Sequence, residues 1–376
     1  MIISTKDFKE VANTILLATE LDKVNARLEL VTKKGNLYLN TTNKEFYAAV
    51  KFPLSEEVEN VRAVVDASAF LNLVSGITAD EFELIIDTQK VTIKVGRSNY
   101  KIPMIFENNE LLVLEPIKIT NVRIEMQIGL DILKSILNVN SRELLKLKNI
   151  VTASEAQKLY YLDETGCYTI TTGACKNSFN LEKPIKLLLN DRIVKLFKLF
   201  KDDPYLSFGY DQAANGRAQQ KITLQTENVY VAALVTCDDK LINQFSRAIN
   251  LLKDVIEANY ENKVVVDSND FNAAITRLMQ FAKNTNKDLN VSAMQGIFTF
   301  KNNEMLITDS DGNIDTVEIE NESRVSNEYQ MTVNLSFIKS VLDSCKNEHI
   351  TMNFGDHKSI IINHGLVTNY IPETRA

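Results

Sequence analysis

Leu187-Leu188-Leu189-Asn190-Asp191-Arg192-Ile193-Val194-Lys195-Leu196-Phe197-Lys198-Leu199-Phe200 is the stretch on which the fold turns. A short apolar strand ends in Asn190, a residue whose side chain can accept from the first free N–H groups of a helix. The helix that follows gathers Ile193, Leu196, Phe197 and Phe200 on one face. The same strand, cap and helix pattern begins near Ser4, Asp66, Gln127, Asn190, Asp267 and Asn334. Most spacings are sixty-odd residues, with one longer step before the fifth copy. One such unit cannot bury its own apolar face and must lean on a neighbour, so the chain reads as a small unit duplicated and then triplicated.

The other copies carry matching stripes. The first helix presents Phe8, Val11, Ala12, Ile15 and Leu16, the second Phe70, Leu71 and Val74, and the third Leu130, Leu133, Ile136 and Leu137. The fifth presents Phe271, Ala274, Ile275, Leu278 and Ala282, and the sixth Leu335, Ile338, Val341 and Leu342. Alternating, β-rich sequence follows each one. Two units make a domain of two helices and a sheet layer, which puts domains at 1–120, 121–260 and 261–376. The Leu114-Glu115-Pro116 stretch and the polar run from Asp238 to Asn262 read as linkers.

Composition places the chain among well-packed globular proteins: 45% hydrophobic and 24% charged residues, with 12 Gly and 6 Pro among 376, leave no room for low complexity. No apolar run approaches the roughly 20 residues that cross a bilayer, and Met1-Ile2-Ile3-Ser4-Thr5-Lys6 lacks a signal-peptide layout, so the expectation is a cytoplasmic protein with no membrane partner. Cys167, Cys175, Cys237 and Cys345 have no C-x-x-C spacing and read as reduced thiols. His349, His357 and His364 lack metal-ligand spacing, no phosphate-loop or nucleophile-elbow motif occurs, and Asp309-Ser310-Asp311-Gly312-Asn313 has the Gly of a hairpin turn. Neither an enzyme nor a bound cofactor or metal is expected.

A formal charge of −7 argues against a general nucleic-acid binder, so the placement of the positive charges matters more than their sum. On the fourth helix Arg192, Lys195, Lys198 and Lys201 lie opposite the apolar stripe; on the fifth Arg277 and Lys283 do the same. Lys and Arg that merely solvate an outer face are the ordinary alternative. Basic loops add Lys23 with Arg27, Arg142 with Lys146 and Lys148, and Lys158 beside Tyr160 and Tyr161. Charge spread in this way suits phosphate contact without base reading.

Several strings converge on one family. Gly96-Arg97-Ser98-Asn99-Tyr100-Lys101-Ile102, Tyr160-Tyr161-Leu162, Thr171-Thr172-Gly173-Ala174 and the closing Tyr370-Ile371-Pro372 with Arg375 resemble strings of bacterial-type DNA sliding clamps, the β subunit of DNA polymerase III. The resemblance runs through the whole chain in length and repeat order. It implies an α+β chain of three similar domains, each with two helices inside and antiparallel sheets outside, two subunits closing head to tail into a ring. Duplex DNA would pass through unread while the ring tethers the replicative polymerase as a processivity factor, which places the protein at the nucleoid.

The resemblance and the charge pattern together nominate Lys23, Arg27, Lys146, Lys148, Lys158, Tyr161, Arg192, Lys195, Lys198, Arg247 and Arg277 as DNA-facing. The resemblance alone places a pocket for short peptides of polymerases, clamp loaders and repair proteins at Leu162, Thr171, Gly173, Ala174, Cys175, Lys176, Ala248, Tyr370, Ile371 and Pro372. It also implies a homodimer interface of Tyr100 and Ile102 against the partner's Phe281. Ala174-Cys175-Lys176 departs from the family's commoner His-Arg-Leu and Glu373-Thr374 from its apolar tail, as in a diverged or virus-encoded version with a different peptide preference. A repeat scaffold that never encircles DNA is the alternative from another class.

Overall fold

The computed structural model describes the chain apart from residues 23–25, 44, 57, 138–158, 171–173, 213–217, 236–238, 286–289, 291–293, 302, 346 and 375–376. All six expected helices are present, each after a strand and before a meander. Repeat one is β1 (Ile2–Ser4), α1 (Thr5–Thr19), β2 (Arg27–Lys33), β3 (Asn36–Thr42) and β4 (Phe46–Pro53). Repeat two is β5 (Arg62–Asp66), α2 (Ala67–Gly76), β6 (Glu81–Ile86), β7 (Lys90–Val95) and β8 (Ser98–Pro103), trailed by a hairpin of β9 (Phe106–Glu107) and β10 (Glu110–Leu111). Repeat three is β11 (Asn121–Gln127), α3 (Leu130–Leu137), β12 (Leu159–Asp163), β13 (Gly166–Ile170) and β14 (Ala174–Ser178). Repeat four is β15 (Leu187–Asn190), α4 (Asp191–Leu196, tightening to a 3-10 turn over Phe197–Leu199), β16 (Tyr205–Gln212), β17 (Ala218–Gln225) and β18 (Val229–Leu234).

An unexpected helix, α5 (Asp239–Ile256), intervenes before β19 (Asn262–Asp267), α6 (Ser268–Thr285), β20 (Gln295–Phe300), β21 (Glu304–Asp309) and β22 (Ile314–Glu318) of repeat five. Repeat six is β23 (Tyr329–Asn334), α7 (Leu335–Leu342), β24 (His349–Phe354), β25 (Ser359–His364) and β26 (Val367–Pro372). The expectation of a linker over Asp238 to Asn262 is therefore corrected. The stretch is polar in sum, but Phe245, Ile249 and Leu252 recur at helical spacing and are buried, and this accounts for the longer step before the fifth repeat. Residues 112–119 have no regular structure, as the Pro116 region led one to expect.

The caps explain why the helices start where they do. Asp66 Oδ1 accepts from Ala69 N at 2.7 Å, Asn190 Oδ1 from Ile193 N at 3.0 Å, and Asp267 Oδ1 from Asn269 N and Asp270 N. Asn334 Oδ1 serves Ser336 N and Phe337 N. In repeat three Leu130 N instead donates to Asp203 Oδ1 at 2.7 Å, so that helix borrows its cap from repeat four.

Strand pairing shows how repeats depend on each other. The strand before each helix hydrogen-bonds to the first meander strand of the neighbouring repeat: β1 with β6 and β5 with β2, β11 with β16 and β15 with β12, β19 with β24 and β23 with β20. Repeats are exchanged in pairs, so neither member can satisfy its own backbone alone. The last meander strands then join pairs together. β18 lies antiparallel to β4, giving an eight-stranded sheet β11-β16-β17-β18-β4-β3-β2-β5, and β14 lies antiparallel to β26, giving β15-β12-β13-β14-β26-β25-β24-β19. Two four-stranded sheets remain, β1-β6-β7-β8 and β22-β21-β20-β23.

The chain forms two compact units, Met1–Leu137 with Leu189–Cys237, and Asn138–Leu188 with Asp238–Ala376. In the first, α1 packs on α2 and α3 on α4. The Phe8 ring meets Phe52, Phe70 and Phe82 edge to face, at 5.2, 6.3 and 5.5 Å between centroids. In the second, α6 and α7 close a large core with the strands of repeats five and six, while α5 holds a separate, smaller cluster against β12, β13 and β15.

Candidate nucleic-acid and partner interfaces

The helix α4 delivers its cations as the periodicity requires: Ile193, Leu196, Phe197 and Phe200 are buried, and Lys195 and Lys198 are exposed. The structure adds the acids that face these cations, two of which approach from elsewhere in the same unit and lie outside a helical projection. Arg192 Nη1 lies 3.6 Å from Glu45 Oε1, Lys195 Nζ 2.6 Å from Asp191 Oδ2, and Lys201 Nζ 3.4 Å from Glu10 Oε2. These are surface pairs worth about 0–1 kcal/mol, so each cation can exchange its carboxylate for a phosphate. Lys198 has no acidic partner among the described residues. Glu10 and Lys201 also line a cleft of about 580 Å³ with Val11, Leu199 and Phe52, crossed by a second pair, Lys51 with Glu227 at 3.0 Å.

Other nominated cations sit differently. Arg27 opens β2 opposite Asp66, half-buried. Arg277 is held in a two-bond fork by Asp315 of β22, Nε to Oδ2 at 2.7 Å and Nη2 to Oδ1 at 2.9 Å. That hydrogen bond holds the Asp315 carboxyl below its ordinary range and the Arg277 guanidinium above its own. Arg247 is exposed on α5. Tyr161 is 2% exposed, with its ring 6.2 Å from that of Tyr168, so the surface role is corrected to a core one. Lys23, Lys146, Lys148 and Lys158 lie outside the described residues.

The nominated pocket residues fall on the two faces of one sheet. The register pairs Tyr161 with Tyr168, Tyr168 with Lys176 and Ala174 with Tyr370, which sets Tyr161, Tyr168, Ala174, Lys176 and Tyr370 on one face. Leu162, Cys175 and Ile371 point to the other and are buried, Ile371 within the core of α6 and α7. Pro372 follows at the end of β26, half-buried. Thr171 and Gly173 lie outside the described residues. The first face is covered by α5, whose Phe245, Ile249 and Leu252 cluster with Leu159, Tyr161, Tyr168 and Leu188, bordered by Ala174 and Tyr370. Ala248 of α5 is exposed. The signal for this helix was in the sequence, as Ile242, Phe245, Ile249, Leu252 and Ile256 make a continuous stripe.

A polar seam runs beside that cluster. Lys253 Nζ of α5 donates to Asp163 Oδ2 at 3.0 Å, while Asp163 Oδ1 accepts from Thr165 N and Oγ1. Lys253 and Lys176 stand 5.3 and 5.6 Å from the centre of the Tyr168 ring, within cation–π range. Burial pushes the Lys253 ammonium down, its hydrogen bond to Asp163 pulls it up, and the balance lies above the ordinary value. Burial likewise pushes the Cys167 thiol and the Tyr168 phenol up, so the Cys167 thiol stays protonated.

The interface candidates lie at the ends of the two short sheets. Tyr100 of β8 is 43% exposed and Phe281 of α6 is 53% exposed, whereas Ile102 is buried against its own sheet. Ile314 of β22, 62% exposed, was missed, because a single apolar residue after a turn gives no pattern. Asp309 through Asn313 forms the expected hairpin turn: Asp309 Oδ1 accepts from Asp311 N and Asn313 N, and Gly312 takes φ +85°. Among the described residues no group of His, Cys, Asp and Glu could hold a metal, and no helix is long and apolar enough to cross a membrane. His349 faces Glu320 at 3.7 Å, His357 packs on Tyr260, and His364 faces Glu348 at 3.8 Å.

No family model matches the sequence, and no curated protein does. Solved structures match over its full length. The DNA polymerase III β subunit of Thermotoga maritima is similar at 17% identity and a TM-score of 0.72, covering 100% of this chain and 99% of that one. The β subunit of Pseudomonas aeruginosa is similar at 14% identity and a TM-score of 0.75, covering 100% of both chains. The Helicobacter pylori β clamp, solved bound to a DNA ligase peptide, is similar at 15% identity and a TM-score of 0.70, covering 100% of this chain and 99% of that one. The chain has the fold of the bacterial DNA polymerase III β sliding clamps.

Proposed function

We propose that this chain is a processivity factor of a replicative DNA polymerase, a non-catalytic clamp that closes as a homodimer around duplex DNA and slides at the nucleoid. Its three domains are the exchanged repeat pairs, 1–120, 121–260 and 261–376. The observation that carries the reading is the pair of sheet ends left over by the topology. Apart from the small β9–β10 hairpin, every other sheet end is a strand that precedes a helix; only β8 and β22 are last meander strands without a partner among the described residues. Elsewhere in the chain two such strands always join antiparallel, as β18 with β4 and β14 with β26. Two copies joined β8 to β22 would extend that rule to every repeat, and two such junctions close a ring.

The helices then meet the duplex through separated lysines and arginines, Lys198 foremost. Strong base contacts, worth about 1–3 kcal/mol each, would trap a slider; exchangeable surface pairs would not. Polymerase, loader and repair proteins dock through short peptides at the nominated pocket, whose half-buried and exposed members are Ala174, Lys176, Tyr370, Pro372 and Ala248 of α5, a reading supported by the peptide held by the Helicobacter pylori clamp.

Reversing Arg192, Lys195 and Lys198 to Glu tests the DNA reading. The variant should retain the circular dichroism of the wild type and lose most of the processivity that the clamp confers on its host's replicative polymerase in primer extension. Each phosphate contact removed should lower the salt dependence of DNA binding by about 0.9 in log–log slope. A folded variant with undiminished processivity and the same salt slope rejects this assignment.

A further inference from the structure

The geometry points to a second binding site for a partner's peptide, in the cleft between repeats one and four, and assigns it a segment with an apolar anchor accompanied by two Lys or Arg residues. The site is independent of the peptide pocket proposed above: its walls all belong to the first compact unit, and none of its residues is among those nominated for peptides. Its volume of about 580 Å³ lies within the range of ligand pockets.

The floor is apolar and the rim is charged. β4 supplies Val50 and Phe52, the turn after α4 supplies Leu199 and β18 supplies Val229, all four buried, while half-buried Val11 of α1 forms one wall. Around them stand four carboxylates, Asp7, Glu10, Asp202 and Glu227, against two ammonium groups, Lys51 and Lys201. Both lysines are taken, Lys201 by Glu10 at 3.4 Å and Lys51 by Glu227 at 3.0 Å. Asp7 and Asp202, both exposed, are left without a cationic partner among the described residues.

That pattern selects the occupant. DNA and acidic peptides carry the wrong sign, and a purely cationic ligand leaves the apolar floor in water. A peptide that seats an apolar side chain on Val50, Phe52, Leu199 and Val229 and brings cations to Asp7 and Asp202 satisfies both. One wall is set in advance to receive it. Thr226 Oγ1 accepts from Asn228 N at 3.4 Å and Val229 N at 3.1 Å, and Asn228 O accepts from Lys51 N at 2.8 Å, so the turn is fixed before binding. The exposed Asn228 side chain at its tip offers a donor and an acceptor to a peptide backbone.

The test uses the full chain and a fluorescein-labelled Gly-Arg-Leu-Phe-Arg-Gly peptide read by anisotropy, with Gly-Glu-Leu-Phe-Glu-Gly and Gly-Arg-Gly-Gly-Arg-Gly as labelled controls. The first peptide should bind saturably and both controls at least about tenfold more weakly. Asp7→Asn/Asp202→Asn, which alters only exposed side chains, should weaken binding about tenfold, and Val11→Lys, which puts a cation at the wall of the cleft, should weaken it further. The unlabelled DNA ligase peptide that the Helicobacter pylori clamp binds should not compete. Labelled and titrated by itself, that ligase peptide reports on the earlier pocket, and its failure to bind counts against that reading alone. No saturable binding of the first peptide up to about 1 mM overturns the inference. So does an affinity that Asp7→Asn/Asp202→Asn retains, equal binding of the Arg-Gly-Gly-Arg control, which would make the rim an acidic surface only, or displacement by the ligase peptide, which would put the probe in the other pocket.

Discussion

The Glu29 carboxylate, 2% exposed, is the acceptor for Asn40 Nδ2 at 2.9 Å and Leu114 N at 3.3 Å and lies 3.4 Å from Arg62 Nε. Arg62 reaches water; the amide groups do not, so truncation leaves buried donors without a partner. Glu29→Ala is expected to lower unfolding free energy by about 2–3 kcal/mol, read as a lower urea midpoint at constant slope, and Glu29→Gln, which keeps an acceptor, by about half as much. Equal stability of wild type and Ala variant would show that water replaces the carboxylate. His364 makes a second case. Burial pushes its imidazole below the ordinary 6.5, while Glu348 pulls the other way, and Nε2 has no hydrogen-bond partner among the described residues. A depressed folded value means that the unfolded chain binds the proton more readily. The stability is then whole above 6.5 and declines as pH falls towards the lower folded value. His364→Leu should flatten the urea midpoint between about pH 5 and 7 relative to wild type; an unchanged slope would place the pH dependence elsewhere. Neither residue announces itself in the sequence, since what makes Glu29 and His364 matter is burial by the folded sheet: Glu29 is met by Leu114 from far along the chain, and His364 is half-buried in the β24–β26 meander.

Elements were more legible. A strand, a cap and an apolar stripe are local quantities, and the helices α1, α2, α3, α4, α6 and α7 stand where those signals put them. Two elements departed for physical reasons. The average polarity of Asp238 to Asn262 hid α5, because a helix that covers a sheet needs one apolar stripe and tolerates polar residues on the rest of its circumference. The basic face of α4 was read from its own residues alone, whereas Glu45 and Glu10 come from repeat one and leave Lys198 the least compensated cation. The cap of α3 is similarly non-local. Because Asp203 Oδ1 holds Leu130 N across repeats, Asp203→Ala should cost about 1 kcal/mol and loosen α3 in particular. Hydrogen exchange should rise over 130–137 with α4 protected as before; a uniform rise across both helices would mean that the carboxylate supports the pair rather than the cap.

At the scale of the molecule, the question is what becomes of β8 and β22. An unpaired edge strand is a template for another chain, and proteins that stay monomeric blunt such edges with charge, proline or a covering loop. Here β8 does carry Lys101 and Pro103, but the two edges also expose Tyr100 and Ile314, with Phe281 one helical turn beyond Arg277, and it is these apolar groups that favour pairing. Asp315 of β22 is already paired with Arg277, which leaves Glu318 as the exposed carboxylate of that edge, and β8 brings the exposed Lys101. The pairing of like with like elsewhere in the chain fixes the expected partner, β8 of one copy with β22 of another, and fixes its antiparallel sense. The solution mass should be about twice the 42.5 kDa of one chain at neutral pH and micromolar concentration. Ile314→Lys/Phe281→Glu, altering only exposed positions, should shift sedimentation to the monomer without moving the thermal midpoint of the isolated subunit. Acid should do the same to the wild type, but only below the ordinary carboxylate value of 3.8, because the hydrogen bond from Arg277 holds Asp315 lower; once Asp315 takes up a proton the fork to Arg277 is lost and the β22 edge gains an uncompensated cation. A mass of three chains would demand a junction angle other than that of a closed pair. A monomer that persists at high concentration would mean that Tyr100, Ile314 and Phe281 serve some surface other than ring closure.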